Sequence, residues 1–362
     1  MLVLLLACPT SVSPLPVATD AVIRHRPGDD LAALGAGARV DRGLRTAAEA
    51  LAAAATFPEA RLSPTAVRGA LELAHYPGNA RFVRVVAGAE LPESLIAAVP
   101  VGAPVDVGWA WRDFADGRRW WVLGWAPRRV LLDPVPATLP VGRGLGVRVD
   151  GAQTPRLFVV SPSGAWQTYL LSKGDTRWLG GLGEVGVWRF EVVDGDRVEL
   201  LFGVHVGEPI PPLAPLTGPT RVENPITAVD ALYDRVNAFR KVNRLGALKR
   251  FVAFEPLVRE QAACLASAGI VAHSSVLCPG VPARATQGWY PRGHFYEDVA
   301  VADTAAQAWE ALLGSPGHLA NLLCVDCTHL SVGAAIEPAQ DPRLFVVWEA
   351  MAFPEGEPAP IR

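Results

Sequence analysis

Low charge and few cysteines restrict the class of protein that this 362-residue sequence encodes. Charged residues make up 19% of the chain, the formal net charge is -3, and lysine and arginine form no run that could neutralise a row of phosphates. No apolar stretch is long enough to cross a membrane as a helix. The sequence also has no Gly-x-Ser-x-Gly and no His-Glu-x-x-His element, which mark two large classes of hydrolase. We therefore expect neither a nucleic-acid partner nor a membrane-spanning helix.

The first eight residues, Met-Leu-Val-Leu-Leu-Leu-Ala-Cys, resemble the end of a bacterial lipoprotein signal. In such a signal a Leu-x-Ala-Cys box supplies the cysteine that is acylated, which here is Cys8. A basic segment is missing and the apolar run is short, so we expect the true start codon to lie upstream. Residues 1–19 are interpreted as a lipoprotein-like leader. This predicts a cell-envelope lipoprotein or secreted protein, held at the membrane by a lipid anchor if Cys8 is acylated.

Proline content marks the main domain boundary. Residues 209–224 begin with Pro-Ile-Pro-Pro-Leu-Ala-Pro, a composition typical of a linker, and the segments on either side are expected to pack separately. Before the linker, residues 133–208 contain short β runs separated by turn residues, which predicts a small β-sandwich of immunoglobulin-like (Ig-like) character. Residues 20–132 begin with Ala/Leu-rich helical patterning and end in β runs, which predicts an α/β region.

The other four cysteines, Cys264, Cys278, Cys324 and Cys327, all follow the linker. An even number in an exported chain favours disulfide bonds, and four cysteines allow three pairings. We favour Cys264 with Cys278 and Cys324 with Cys327, because each pair is close in sequence. A four-thiolate zinc site is the rival interpretation, but such a site normally uses two Cys-x-x-Cys knuckles and this chain has one. A redox role for that Cys-x-x-Cys is possible but disfavoured, because no thioredoxin-like context surrounds it.

A helix start with a histidine in its first turn is the best indication of a functional site. Residues 315–323 read Ser-Pro-Gly-His-Leu-Ala-Asn-Leu-Leu. Ser315 is a good N-cap, and Pro316 lies where a missing N–H costs nothing, so His318 falls in the first turn. The positive end of the helix dipole disfavours an imidazolium there. A neutral imidazole at this position could bind a metal or accept a proton.

Other short elements surround this helix in a consistent order. An Asn-x-x-Arg element ends at Arg240, a His-Ser-Ser element begins at His273, a Tyr-Glu-Asp element contains Glu297, and a β-hairpin covers residues 328–348. This order resembles the CAP superfamily of cysteine-rich secretory, antigen 5 and pathogenesis-related proteins, and its bacterial SCP-like branch most of all. The resemblance covers residues 225–355. It implies an α+β protein whose C-terminal domain is an α-β-α sandwich.

The resemblance also implies a cleft that contains His273, Glu297 and His318. Eukaryotic members carry a second glutamate, for which Glu310 is the nearby candidate here, although Glu310 reads more readily as a solvated helix residue. Two imidazoles and a carboxylate suit zinc, so His273, His318 and Glu297 are the expected ligands if zinc binds. His294, three residues before Glu297, could compete as a ligand.

The hairpin that ends the first region aligns without gaps with the C-terminal hairpin. Val107 and Gly108 match Val332 and Gly333. The first region has no Ser-Pro-Gly-His and no His-Ser-Ser element. We therefore interpret residues 20–132 as a degenerate CAP-like copy that kept its fold and lost its site.

Two classes of function follow from these residues. The first is a binding module whose cleft takes a lipid, glycan or peptide, as sterol binding in some relatives of the family suggests. The alternative is a zinc-dependent peptidase or esterase, in which Glu297 acts as general base on a zinc-activated water. We favour the binding module, because the family's carboxylate set is incomplete in this chain.

Overall fold

The computed structural model describes residues 37–88, 92–195, 197–216, 218, 221–273, 275, 277–281, 285, 293–339 and 342–353, which form an α+β protein. The expected leader with Cys8, and the start of the region 20–132, lie outside the described residues. None of the helices within the described ranges combines the length and the apolar character that crossing a bilayer requires.

A four-stranded sheet with packed helices forms the first region. Its strands are β1 (Ala38–Val40), β2 (Arg81–Ala87), β3 (Val105–Asp113) and β4 (Arg119–Pro127), in the order β1-β3-β4-β2. Its helices are α1 (Arg42–Ala54), α2 (Pro64–Leu73) and α3 (Glu93–Ala97). Helix α1 begins where the Asp41 carboxylate accepts the N–H groups of Gly43 and Leu44. Leu44 and Leu51, two turns apart on one face of the helix, are buried against the sheet, and this apolar face sets the orientation of α1 on the sheet.

The second region is a sandwich of two sheets around a common apolar core. Its strands are β5 (Leu131–Leu132), β6 (Thr138–Leu139), β7 (Leu145–Asp150), β8 (Pro155–Val160), β9 (Trp166–Leu170), β10 (Thr176–Leu179), β11 (Gly186–Asp194) and β12 (Arg197–Val206). The sheet orders are β10-β7-β5 and β6-β12-β11-β8-β9. In β7 every second residue is buried, as expected for strands with one face on a core.

The C-terminal region has three layers, with a sheet between helices. Its elements are α4 (Pro225–Val242), β13 (Lys249–Arg250), a 3-10 turn (Val252–Phe254), α5 (Glu255–Ala268), β14 (His294–Ala302), α6 (Ala305–Leu313), α7 (Pro316–Leu322), β15 (His329–Ile336) and β16 (Leu344–Ala352). The sheet order is β13-β15-β16-β14. Helices α4, α6 and α7 share one core with the sheet, and α5 shares another on the opposite face. The α-β-α arrangement expected from the sequence is confirmed.

Alternation along β16 assigns side chains to these two faces. Val346 and Trp348 belong to the core beneath α4, α6 and α7, whereas Phe345 and Val347 belong to the core beneath α5. Glu349 therefore faces the α5 side. All nine residues of this strand are buried, so a carboxyl group lies within an otherwise apolar strand.

The first and third regions have sheets of the same topology. In each, a short first strand pairs parallel with the third strand, which forms an antiparallel hairpin with the fourth, and the second strand pairs with the fourth. In each, a helix crosses a glycine of the third strand. A Cβ on Gly108 would lie 2.3 Å from backbone atoms of α1, and one on Gly333 would lie 2.5 Å from backbone atoms of α5. These are the glycines that the hairpin alignment pairs; descent from a duplicated domain stays a prediction.

The three regions contact one another, whereas the linker composition predicts separate packing. The guanidinium of Arg61 binds the Asp303 carboxylate of the C-terminal region at 2.8 Å. Within the linker, Leu216 is buried in the core of the first region, and its N–H donates to the Ala54 carbonyl. Proline sets the local conformation of a linker, but apolar side chains such as Leu216 decide whether it packs.

Candidate functional site

The helix that carries His318 begins as the sequence predicts. Ser315 has extended backbone dihedrals and its hydroxyl accepts the His318 N–H, with Pro316 at the first helical position. Burial of the imidazole lowers the pKa of His318 to about 3, and the nearby charges of His273 and Arg68 act in the same direction. His318 is therefore neutral at neutral pH, with burial as the main cause. Its Nδ1 atom is buried and has no hydrogen-bond partner among the described residues.

His273 reaches the same place from a different element. Helix α5 ends at Gly269, which has φ 63°, a left-handed conformation that glycine adopts without steric cost. The chain then returns to His273, whose carbonyl accepts a hydrogen bond from the Gln261 side chain at 3.4 Å. The disulfide between Cys264 and Cys278 joins the chain before His273 to the chain after it, and so closes the loop that contains His273. The His273 side chain is 34% exposed, so it can be reached from solvent.

Glu297 on β14 holds the His273 imidazole in place. Its Oε1 lies 3.2 Å from His273 Nδ1, and its Oε2 accepts the Val281 N–H at 3.2 Å. The Glu297 side chain is only 3% exposed. A carboxylate that binds one ring nitrogen fixes the orientation of the ring and directs the other nitrogen away from itself.

The two imidazoles lie near each other. The ring centroids of His273 and His318 are 6.2 Å apart, with the ring planes at 71°. The structure thus brings together His273, Glu297 and His318, which are separated by up to 45 positions in the sequence. We call this set the His/Glu cleft.

Glu310 lies elsewhere. It is exposed on α6, and its carboxylate accepts a hydrogen bond from the Thr65 hydroxyl of α2 at 2.8 Å. The structure therefore places Glu310 outside the cleft, as a solvent-exposed helix residue. His294 lies three positions before Glu297 on β14, so the two side chains face opposite sides of the sheet. His294 therefore does not compete with His273 as a ligand.

The second carboxyl beside Glu297 is Glu349, which the motif comparison missed. Glu349 pairs directly with Glu297 across the β14–β16 ladder, an arrangement that holds Cβ atoms about 5 Å apart. It is fully buried, and neither of its oxygens has a hydrogen-bond partner within the described part of the chain. Burial, followed by the charges of Glu297 and Asp298, raises its pKa well above the usual range. A single glutamate inside an apolar strand was the signal that could have identified it.

Asp298 supports α7 from the other face of β14. Its carboxylate accepts the Asn321 amide at 2.7 Å and the indole N–H of Trp348. Adjacent residues of the Tyr-Glu-Asp element therefore face opposite sides of β14. Glu297 orients His273 on one side, and Asp298 anchors the helix that carries His318 on the other.

A third carboxyl enters from the β-sandwich. Glu191 on β11 is 1% exposed and accepts a hydrogen bond from the Ser315 hydroxyl at 2.5 Å. It also accepts the Gly317 N–H, and His273 is close enough to interact electrostatically with it. A Cβ on Gly317 would lie 2.4 Å from the carboxylate, so a larger residue there would require the Glu191 side chain to shift. The sandwich thus covers the start of α7 beside the cleft.

The described residues do not fit a zinc ion as they lie. Within those ranges, no group of three or more His, Cys, Asp or Glu side chains is arranged to hold a metal. His273 Nδ1 faces Glu297, so Glu297 lies as a hydrogen-bond partner of His273, and a metal would have to bind this ring through Nε2. Zinc binding by His273, His318 and Glu297 stays a prediction of the sequence.

Both cysteine pairs lie at disulfide distance in the arrangement that the sequence favours. Cys264 pairs with Cys278 and Cys324 pairs with Cys327. The second pair follows α7, where the Arg240 guanidinium binds the carbonyls of Leu322 and Cys324 at 2.9 Å. Arg240, the end of the Asn-x-x-Arg element, is therefore structural, because it holds the end of the helix that carries His318.

Comparisons with known proteins give structural similarities. No family model matches the sequence, and no curated protein matches it. An outer surface protein from Borrelia burgdorferi is similar over 34% of this chain and 92% of its own, at 20% identity and a TM-score of 0.29.

Two further solved structures cover more of this chain. An extracellular protein containing an SCP domain from Bacillus anthracis matches over 50% of this chain and 66% of its own, at 15% identity and a TM-score of 0.32. A cysteine-rich secretory protein from Staphylococcus aureus matches over 62% of this chain and 83% of its own, at 11% identity and a TM-score of 0.28. These two carry SCP and cysteine-rich secretory descriptions, the kind of domain that the sequence resembles.

Proposed function

We propose that this chain is an extracytoplasmic CAP-type protein whose C-terminal domain binds a ligand in the His/Glu cleft. The observation that carries the proposal is the orientation of His273 by Glu297 at 3.2 Å, with the His318 ring 6.2 Å away. A partly exposed imidazole fixed by a buried carboxylate supplies a hydrogen-bonding group of defined direction. Such groups provide specificity in small-molecule sites.

Two features support binding over hydrolysis. Both oxygens of Glu297 hold hydrogen bonds, to His273 and to the Val281 N–H, and the side chain is nearly inaccessible. A general base must lie within hydrogen-bond reach of the proton that it removes. Glu297 is therefore better suited to positioning His273 than to activating a water. We infer a ligand that offers hydrogen-bonding groups to the imidazoles, from the lipid, glycan or peptide class.

The disulfides support a location outside the cytoplasm. Two pairs in one domain are typical of proteins that fold in an oxidising compartment. We propose a secreted or envelope protein, with a lipid anchor if Cys8 is acylated. The intact mass after expression with the native upstream sequence tests the anchor, since an unprocessed, unacylated Cys8 would end that part of the proposal.

Ligand retention tests the binding function. The full chain is purified from an oxidising compartment, and native mass spectrometry identifies lipids or peptidoglycan fragments that remain bound. We expect His273→Gln to lose the retained molecule and His294→Gln, on the opposite face of β14, to keep it. Equal retention in both variants would overturn the proposal. Turnover of the retained molecule that stops on Glu297→Gln would establish the hydrolase alternative instead.

A further inference from the structure

A cavity lies where all three regions meet, and none of its lining residues belongs to the His/Glu cleft. It has a volume of about 520 Å³ and lies between α2, the segment joining β5 to β6, and strands β11 and β12. Its walls are largely apolar, with contributions from Val67, Leu71, Tyr76, Leu132, Val135 and Phe202. Small-molecule sites are commonly apolar clefts of about 300–1,000 Å³ at domain interfaces. We call it the interface cavity.

Two arginines from different regions face the interface cavity. They are Arg68 on α2 and Arg189 on β11. Arg189 Nε is buried and has no hydrogen-bond partner within the described ranges. Arg68 donates long hydrogen bonds, of 3.5 and 3.4 Å, to the carbonyls of Glu310 and Ala311.

The carboxylates that line the cavity are committed to other partners. Glu72 Oε2 lies 3.2 Å from His205 Nε2, and Asp133 lies 4.0 Å from the Arg148 guanidinium. Within the described part of the chain, no carboxylate lies within ion-pair distance of Arg68 or Arg189. The cavity therefore presents two guanidinium groups that no carboxylate of the described ranges contacts directly, although the charges of Glu72 and Glu310 act on Arg68 from beyond ion-pair distance.

Such an arrangement is costly unless an anion completes it. Desolvation and the neighbouring Arg189 charge lower the pKa of Arg68 to about 10, which still leaves Arg68 cationic at neutral pH. Partly buried cations that repel each other are stabilised by a shared anion, and guanidinium groups bind carboxylate and phosphate oxygens with matched geometry. The apolar walls add a second requirement, because a simple ion would leave them in contact with water.

We propose that the interface cavity binds an amphiphile with a single oxyanion head, carboxylate or phosphate, held between Arg68 and Arg189 with its apolar chain against Val67, Leu71 and Phe202. This site is separate from the proposed function of the His/Glu cleft. Because its walls come from two regions and its rim includes Gly314, which precedes α7, an occupant also joins the regions together.

Calorimetric titration of the full chain tests the proposal. The ligands are decanoate, decyl phosphate, decanol and inorganic phosphate, each below its micelle concentration and at constant ionic strength. We expect decanoate or decyl phosphate to bind one-to-one and more tightly than decanol or phosphate. The tighter of the two anionic amphiphiles identifies the head group. Phosphate binding as tight as that of decyl phosphate would mean an adventitious ion only, and no binding of either amphiphile would also overturn the proposal.

Four variants locate the binding. Arg189→Gln should weaken binding by about tenfold to a hundredfold, the usual value of a hydrogen bond to a charged group. Val135→Trp adds bulk to an apolar wall of the cavity and leaves both arginines in the sequence, and it should also weaken binding, so the proposal does not depend on how Arg189→Gln folds. The exposed Arg143 on the same sandwich gives the matched control Arg143→Gln, and His273→Gln separates this site from the cleft. Unchanged affinity in both Arg189→Gln and Val135→Trp would refute the site.

Discussion

The Glu191 carboxylate of the β-sandwich accepts a hydrogen bond from Ser315, the residue that caps the helix carrying His318, although the two are 124 positions apart. The hydroxyl of Ser315 in turn accepts the His318 N–H. The cleft of the C-terminal region is thus supported by a residue of another region. A change in the sandwich should therefore reach the imidazoles.

Glu191→Ala should loosen the cover of the cleft. Removal of a buried hydrogen-bond partner leaves the Ser315 hydroxyl and the Gly317 N–H without their acceptor, at a cost of about 1–3 kcal/mol in the free energy of unfolding. We expect His318 to react faster with diethyl pyrocarbonate, measured by peptide mass spectrometry. Glu184→Ala is the control, because Glu184 binds Ser163 within the sandwich. Equal reaction rates in the wild type and Glu191→Ala would contradict the contact.

His318 should make the protein sensitive to mild acid. Its pKa is about 3 in the folded chain and about 6.5 when unfolded, so the unfolded chain binds the proton more readily. The stability that it contributes is complete above pH 6.5 and is lost as the pH falls toward 3, by about 1.4 kcal/mol per pH unit. Urea unfolding of the wild type and His318→Gln between pH 7.5 and 4.5 measures this, and the variant should have the smaller pH dependence. Parallel curves would show that His318 is accessible to protons in the folded state.

Glu349→Met should stabilise the protein at neutral pH. The carboxyl is fully buried and unpartnered within the described residues, so an apolar side chain of similar length removes a desolvation cost of about 1–3 kcal/mol. The raised pKa gives the opposite sign to that of His318. Stability is greatest where Glu349 is protonated and falls as the pH rises from the ordinary carboxyl value toward the folded value. Urea unfolding at pH 5 and pH 8 should show this loss of stability with rising pH in the wild type and a smaller loss in Glu349→Met. Lower stability of the variant than of the wild type at both pH values would contradict the prediction.

The two disulfides should differ in their effect on stability. The 14-residue separation of Cys264 and Cys278 corresponds to about 3 kcal/mol in the chain-entropy estimate, and the 3-residue separation of Cys324 and Cys327 to about 2 kcal/mol. Paired serine variants measured by thermal unfolding test the order. Of the two paired serine variants, only the one that removes Cys264 and Cys278 should also weaken ligand retention, because that disulfide closes the loop that carries His273. Equal retention in both paired variants would show that the Cys264–Cys278 disulfide does not support the cleft.

Alanine at the helix-crossing glycines should be destabilising in both sheets. The added Cβ would meet backbone atoms at 2.3 Å for Gly108 and 2.5 Å for Gly333, so the helix has to move, at a typical overpacking cost of about 1–3 kcal/mol. Gly246, which has open space around it and no positive φ, gives the control Gly246→Ala. Denaturant midpoints decide the comparison, and an unaffected Gly333→Ala would contradict the crossing geometry.

The sequence by itself determined the features that depend on neighbouring residues. Ser315 and Pro316 start the helix of His318 because capping and the missing N–H act within one turn. Alternation along β14 separates the roles of Glu297 and Asp298, because adjacent strand residues face opposite sides. The order of short elements predicts a common site for His273, Glu297 and His318, and in the structure His273 Nδ1 lies 3.2 Å from Glu297 and its ring centroid 6.2 Å from that of His318.

Tertiary structure decided what depends on distant pairing. Glu349 becomes the neighbour of Glu297 only through the register of β14 with β16. The sequence offered only Glu310 as a nearby candidate, and one that reads more readily as a solvated helix residue. Glu191 reaches Ser315, and Arg68 approaches Arg189, only because separately folded regions pack together. Such contacts have no local signature, since they are fixed by the shape and burial of whole surfaces rather than by the residues beside them.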